Sequence, residues 1–298
     1  AIMGFMPINM LEKDFKEHNR SGNYVAWDYA YNMLNSCDPY GIIFTNGDND
    51  TFPLWYLQEV ENVRKDVRVV NLSLLNTDWY IKQLRDYDPP IALKMTDEDI
   101  KKVMPVRWSA KELIIEGPGG TDKKLVWELK PTYRGRFLRV QDIMIYRIIE
   151  AVKWEKPVYF AVTVSDDNRI GLDPYLQMEG MVFKLHPEKV SQIHYERMKQ
   201  NIMPSDNVDF VIRTPEQFEE YLASGFGVYH YRNMNNPDVH FNFNIQRLVQ
   251  NYRAGFLQLA IRNIRKKPER NEETLEILLA MDETFPPEYL PYNNDNLE

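Results

Sequence analysis

The chain has one cysteine, Cys37, in 298 residues, and only five histidines. A single thiol excludes an intrachain disulfide but does not fix the cellular compartment. The histidines are scattered, with no His-Glu-x-x-His motif and no second cysteine, so the sequence does not predict a zinc site. A Gly-x-Ser-x-Gly elbow is also missing, which argues against a serine hydrolase of that type.

Long apolar runs, a basic excess and a glycine-rich phosphate loop are also missing. No stretch of about 18 apolar residues is present, so nothing is predicted to span a bilayer. The net charge of −8 and the pI of about 5.3 argue against a nucleic-acid partner. The turn Asn46-Gly47-Asp48 is not a Gly-x-Gly-x-x-Gly motif, and its acidic neighbours would repel phosphate, so a dinucleotide cofactor is not predicted.

Apolar and aromatic residues are plentiful. The composition is 44% hydrophobic and 27% charged, as in a folded soluble protein with a substantial core. Tryptophan, tyrosine and phenylalanine make up 13% of the chain. This content suits flat ligands such as sugars, although core packing also accounts for it.

The chain is organised around Gly41–Asp78, which we interpret as a βαβ unit. Residues 41–45 are a short apolar run, and residues 67–72 are rich in β-branched residues, as in buried parallel strands. Between them, Pro53 opens a helix for which Asp50 or Thr51 is the expected N-cap. A third strand is predicted at 157–164, and a further one at 180–185.

We therefore predict an α/β fold, with a three-layer, Rossmann-like and mostly parallel sheet followed by a helical tail similar to tetratricopeptide repeats. The expected domains are an α/β domain at 8–235 and a truncated helical-repeat segment at 240–298. Residues 91–137 are interpreted as an insertion. Its β-hairpin either pairs at the edge of the sheet or forms a flap over one end.

The three predicted parallel strands each end in a polar turn, and their carboxyl ends should meet at one edge of the sheet. The candidate ligand-binding residues there are Asn46, Asp48, Asn49, Asp50, Asn76, Asp78, Trp79, Ser165, Asp166 and Asp167. Asp48 and Asp50 form an Asp-x-Asp pair that could chelate a divalent cation, and no other cofactor is predicted. The alternatives are capping of a helix N-terminus and binding of another polar ligand.

Two tryptophans lie beside acidic residues in this region. Trp55 and Trp79 are close in sequence to the acidic turns. An aromatic face next to carboxylate acceptors is typical of sugar binding. The alternative is that both indoles pack helices onto the sheet.

Several long motifs resemble one known family. They are the runs 18–30 (HNRSGNYVAWDYA), 44–56 (FTNGDNDTFPLWY), 66–77 (DVRVVNLSLLNT), 130–133 (KPTY) and 139–142 (RVQD). These residues resemble the C-terminal soluble part of the protein O-mannosyltransferase-like family of multi-pass membrane proteins, formerly a domain of unknown function. The resemblance covers about residues 7–165 well and the helical tail loosely.

The resemblance implies a parent protein that is a membrane-embedded glycosyltransferase using a lipid-linked sugar. This chain would be its extracytoplasmic (periplasmic) domain, soluble as a fragment and inactive by itself. Ala1–Pro7 would be the end of the last membrane helix, although an ordinary buried first segment is the alternative. The family usually has Asp where this chain has Asn19, which weakens a catalytic role at that position.

Three functions remain open from the sequence. The first is an accessory or acceptor-binding domain whose partners are the membrane-embedded part of the same protein and a protein or glycan acceptor. The second is a self-sufficient, metal-dependent, sugar-active enzyme that uses Asp48, Asp50 and Asp78. The third is a non-catalytic protein-interaction scaffold. No catalytic residue is assigned.

Overall fold

The computed structural model describes residues 15, 18–119, 121–205, 207–266 and 271–292. The interpretation of Ala1–Pro7 as the end of a membrane helix lies outside these residues. Across the described ranges, no helix is both long enough and apolar enough to cross a membrane.

Short strands alternate with helices over most of the chain. The strands are β1 (Ile42–Thr45), β2 (Arg68–Asn71), β3 (Val106–Arg107), β4 (Lys111–Glu116), β5 (Lys124–Leu129), β6 (Phe137–Leu138), β7 (Val158–Ala161), β8 (Leu176–Met178) and β9 (Val182–Leu185). The helices are α1 (Val25–Leu34), α2 (Asp48–Glu59), α3 (Asp78–Asp86), α4 (Asp97–Lys101), α5 (Val140–Val152), α6 (Tyr195–Ile202), α7 (Pro215–Ser224), α8 (Phe243–Lys266) and α9 (Asn271–Thr284).

A five-stranded sheet with the order β2-β1-β7-β9-β8 forms the centre of the fold. Strand β1 pairs in parallel with both β2 and β7. Every residue of β1 and of β7 is buried, as expected for parallel strands covered on both faces. The predicted strands at 41–45, 67–72 and 157–164 are therefore confirmed, and so is the α/β class.

The sheet is mixed, however, and the prediction of a mostly parallel sheet was wrong for its second half. Strand β9 runs antiparallel to both β7 and β8. Only three residues, 179–181, link β8 to β9, and such a short link allows only antiparallel pairing. Gly180 has φ +101°, and a Cβ there would lie 2.1 Å from Oη of Tyr229, so this turn requires glycine.

The insertion contains the predicted hairpin. Strands β4 and β5 pair antiparallel with each other in a separate two-stranded sheet, so pairing with the edge of the main sheet was wrong. The hairpin packs over one end of the fold instead. Trp127 donates its indole N–H to the carbonyl oxygen of Ile170 (3.2 Å). Tyr175 donates its hydroxyl to the carbonyl oxygen of Val126.

Helix α2 begins earlier than predicted. Its N-cap is Gly47, with φ +78°, so neither Asp50 nor Thr51 is the N-cap. Asp50 lies in the first turn, where its carboxylate accepts the backbone N–H of Asn46 at 3.3 Å. The acid therefore satisfies a donor that precedes the helix, as the acidic residue of a capping box does.

The last two helices share the core of the α/β part. Asn32 of α1 donates to the hydroxyl of Tyr252 of α8 at 2.8 Å. Residues of α8 and α9, such as Phe256 and Ile277, belong to the same buried cluster as the sheet. This continuity holds the tail against the α/β part through apolar burial.

Candidate functional site

The order of the strands reverses between β1 and β7. From β1 the chain passes through α2 to β2 on one side, while β7 lies on the other side of β1. In α/β sheets, ligands bind in the crevice at the carboxyl ends of the two strands that flank such a reversal. The sheet order thus places the candidate site between the turn after β1 and the turn after β7.

Asp50 bridges this crevice. Its carboxylate accepts a hydrogen bond from the hydroxyl of Thr163, two residues after β7, as well as the N–H of Asn46 after β1. The side chain is almost fully buried, and this burial raises the pKa of Asp50 although both hydrogen bonds act in the opposite direction. A buried carboxylate with a raised pKa at a strand-order reversal is a candidate functional group.

A hydroxyl and amide network fixes the turn that carries Asp50. Thr51 donates its hydroxyl to the carbonyl oxygen of Gly47 (2.7 Å), and its hydroxyl lies 2.7 Å from that of Thr45. The side-chain amide of Asn71, the last residue of β2, donates to Thr51 Oγ1 at 2.9 Å and to Gly47 O at 3.2 Å. The ends of β1 and β2 are thus joined before any ligand binds.

A second chain of amides joins the strand ends along the same edge. Asn76 donates to Oε1 of Gln141 at 2.9 Å and accepts the backbone N–H of Gln141 at 3.0 Å. Gln141, at the start of α5, also donates to Oδ1 of Asn168 at 3.2 Å. The turns after β2 and β7 are therefore connected through the N-terminus of α5.

The predicted residues after β7 lie beside the hairpin. Asp166 and Asp167 line a cavity of about 660 Å³, together with Glu128 and Lys130 of the insertion. Asp166 also pairs with Arg169 at 2.9 Å, and Ser165 is exposed. The hairpin thus forms one wall of a polar cavity beside the strand ends, which agrees with its predicted position as a flap.

The remaining predicted residues of this edge, apart from Asp50, are exposed. Asp48 and Asn49 are exposed in the first turn of α2, and Asp78 is exposed at the start of α3, where it accepts the backbone N–H of Trp79 at 2.8 Å. Among the described residues, no group of three or more His, Cys, Asp or Glu side chains is arranged to hold a metal ion. The two-carboxylate cation site at Asp48 and Asp50 stays a prediction.

Sequence reasoning missed Thr163, Gln141 and Asn168. Gln141 lies inside the motif at 139–142, for which the sequence predicts no role. Asn168 directly follows Asp166 and Asp167, the predicted acidic pair after β7. Their hydrogen-bond partners are up to 113 residues away in sequence, so no local pattern could show the contacts.

Two of the family-like motifs interlock at one buried carboxylate. Asp142 of the 139–142 motif accepts the hydroxyl of Thr132, from the 130–133 motif. It also accepts the backbone N–H of Arg139 at 2.8 Å and pairs with that guanidinium at 2.8 Å. These motifs therefore anchor the start of α5, the element that presents Gln141.

The fold and site define an α/β domain with a mixed sheet and a polar crevice at the reversal of strand order. The model of the TMEM260-associated domain 2 family matches residues 26–105 and 111–204, more than half of the chain. The chain belongs to this family. No curated protein and no solved structure gave a significant match.

Proposed function

We propose that this chain is the extracytoplasmic accessory or acceptor-binding domain of a membrane-embedded glycosyltransferase that uses a lipid-linked sugar. The observation that carries this proposal is the family match, because the family is associated with TMEM260, a membrane protein. The resemblance of five motifs to the O-mannosyltransferase-like family supports the assignment of the membrane protein as a glycosyltransferase. On this proposal the chain is not catalytic alone.

The geometry of the strand-end edge supports a binding role. Its central carboxylate, Asp50, is already engaged by Thr163 and Asn46, and its amides are held by one another. Such preorganised hydroxyls and amides suit recognition of a polar acceptor, because little ordering is left for the binding step. The acceptor would be a protein or a glycan.

The same proposal includes the type of sheet, the role of the last two helices and the location of the domain. The parallel half of the sheet would be Rossmann-like, and α8 with α9 would be the start of a tetratricopeptide-like protein contact. The domain would lie on the periplasmic side of the membrane, beside the membrane-embedded part of the same protein.

Kinetics of the parent membrane protein test the proposal. Transfer of labelled mannose from a polyprenyl-phosphate donor to extracytoplasmic proteins would be compared for the parent and for its Asn76→Ala and Gln141→Ala variants. We expect a higher KM for the acceptor at an unchanged KM for the donor. Glu112→Gln, at an exposed position on the hairpin, is the matched control. An unchanged acceptor KM in both edge variants would contradict the proposed binding surface.

A further inference from the structure

Two tryptophans wall a groove beside the edge strand β2. Trp55 of α2 and Trp79 of α3 line this groove, which has a volume of about 390 Å³. The ring of Tyr80 lies between them, with its centroid 6.4 Å from that of Trp55 and 5.6 Å from that of Trp79. Trp79 is 53% exposed, far more than packing alone would require of an indole.

Hydrogen bonding separates these two tryptophans from three of the other four. The indoles of these three donate to backbone carbonyl oxygens: Trp108 to Leu129 (2.9 Å), Trp127 to Ile170 (3.2 Å) and Trp154 to Glu116 (2.7 Å). The remaining one, Trp27, packs against the core and stacks on Tyr31, with ring centroids 5.2 Å apart. Within the described ranges, the N–H groups of Trp55 and Trp79 have no acceptor. A buried indole N–H usually has a hydrogen-bond acceptor within the protein. The N–H groups of Trp55 and Trp79 have none, so they are available to a ligand.

The edge of β2 is closed to a peptide strand. The hydroxyl of Tyr80 accepts the N–H of Asn71 at 3.0 Å and donates to the carbonyl oxygen of Val69 at 3.3 Å. Gln58 donates to the carbonyl oxygen of Val67 at 2.7 Å. Since side chains occupy these backbone groups, a peptide could not extend the sheet here.

The charges of the groove are balanced. Glu59 and Asp88 oppose Lys65 and Arg68, and Lys65 pairs with Glu59 at 3.6 Å. Arg68 donates through its terminal nitrogens to the backbone oxygens of Gln83 (2.9 Å) and Asp88 (3.0 Å), while its buried Nε has no partner among the described residues. Two acids facing two bases leave the groove without net charge, which favours a neutral ligand over a phosphate, sulfate or carboxylate.

We propose that the Trp55–Trp79 groove binds a neutral saccharide. The C–H face of a pyranose ring would pack on the indoles, while its hydroxyls would donate to Glu59 and Asp88 and accept from the side-chain amide of Gln83. The volume lies in the range of about 300–1,000 Å³ that is usual for small-ligand sites. The inference rests on the proposed function for the source of this sugar, a glycan carried by the acceptor.

Saccharide binding to the purified chain tests the groove. The probes are di- and trisaccharides of mannose, glucose, galactose and N-acetylglucosamine, with a sulfated and a uronic-acid saccharide for comparison. Saturation-transfer NMR and calorimetry would be run on the unsubstituted chain, on Trp79→Ala and on Phe226→Ala. Phe226 is a matched control, because it is 54% exposed and does not line this groove.

We expect a neutral saccharide to bind, and Trp79→Ala to weaken its binding by about two- to tenfold, as loss of one aromatic stacking partner predicts. Phe226→Ala should bind the saccharide as tightly as the unsubstituted chain does. The inference is overturned if no neutral saccharide binds or if Trp79→Ala binds unchanged. It is also overturned if a glycoprotein and its deglycosylated form bind equally through Trp79, since the groove would then be a protein-docking surface.

The two proposals fail separately. If the acceptor KM rises as expected in the Asn76 and Gln141 variants but the chain binds no saccharide, the saccharide groove is refuted and the proposed function stands. If saccharide binding depends on Trp79 but the acceptor KM of these variants is unchanged, the proposed binding surface is refuted and the saccharide groove stands.

Discussion

The turn between β8 and β9 contains a buried glutamate that should make folding stability depend on pH. Glu179 is 3% exposed, and its carboxylate has no hydrogen bond or ion pair among the described residues. The nearby cations, Lys184 and Arg197, both pair with Asp38 instead. Burial therefore dominates and raises the pKa of Glu179 from 4.5 to about 6.

The magnitude follows from linkage. A rise of the folded-state pKa means that the folded protein favours the protonated acid. The resulting stabilisation is fully present below the unfolded pKa of 4.5 and is lost as the pH rises through about 6. At 1.36 kcal/mol per pKa unit, the loss amounts to about 2 kcal/mol. Glu179→Gln keeps the side chain neutral at every pH and should escape this loss.

Urea unfolding of Glu179→Gln and of the unsubstituted chain, at about pH 4 and about pH 7.5, measures this loss of stability. The free energy of unfolding of the variant, minus that of the unsubstituted chain, should increase by about 2 kcal/mol between the two pH values. Glu112→Gln, at an exposed position of β4, controls for loss of one surface charge, and its change is subtracted. A difference that stays constant or falls with pH would refute the reasoning.

Three further substitutions test hydrogen bonds of the fold, of the β2 edge and of the candidate site in turn, each by urea unfolding at neutral pH. Asp66→Ala leaves the fully buried guanidinium of Arg64 without its 2.9 Å ion pair and should cost about 3–5 kcal/mol; a loss below 1 kcal/mol would contradict this. Tyr80→Phe unpairs one N–H and one carbonyl of β2 and should cost about 1–3 kcal/mol, whereas unchanged stability would mean that the edge is not closed by this hydroxyl. Asn76→Ala breaks the amide chain and should cost about 1–2 kcal/mol, against Glu112→Gln as the surface control.

The sequence predicted the parallel core because that part is locally encoded. Strands β1 and β7 lie in buried apolar runs and β2 lies in a segment rich in β-branched residues, and composition identifies such segments. Strand β8 is only three residues long, and its pairing depends on the short turn at Gly180. A strand of that length carries no periodic signal, so β8 was missed, and with it the antiparallel direction of the predicted strand at 180–185.

The candidate site was predicted in position but not in contacts. Placing polar residues at strand ends requires only the βαβ rule, and this brought Asp50 and Asn76 to the correct edge. The bridge from Asp50 to Thr163 and the link from Asn76 to Gln141 depend on tertiary structure. Nothing in the local sequence distinguishes an inward-facing Asp50 from an exposed Asp48.

The central claim is that this domain assists a membrane glycosyltransferase without transferring sugar itself. The most direct measurement is transfer of labelled mannose from a polyprenyl-phosphate donor by the purified chain and by the parent membrane protein. We expect no transfer by the chain alone and robust transfer by the parent membrane protein. Transfer by the chain alone that requires a divalent cation and is lost in Asp48→Asn/Asp50→Asn would contradict the account and favour the self-sufficient, metal-dependent enzyme.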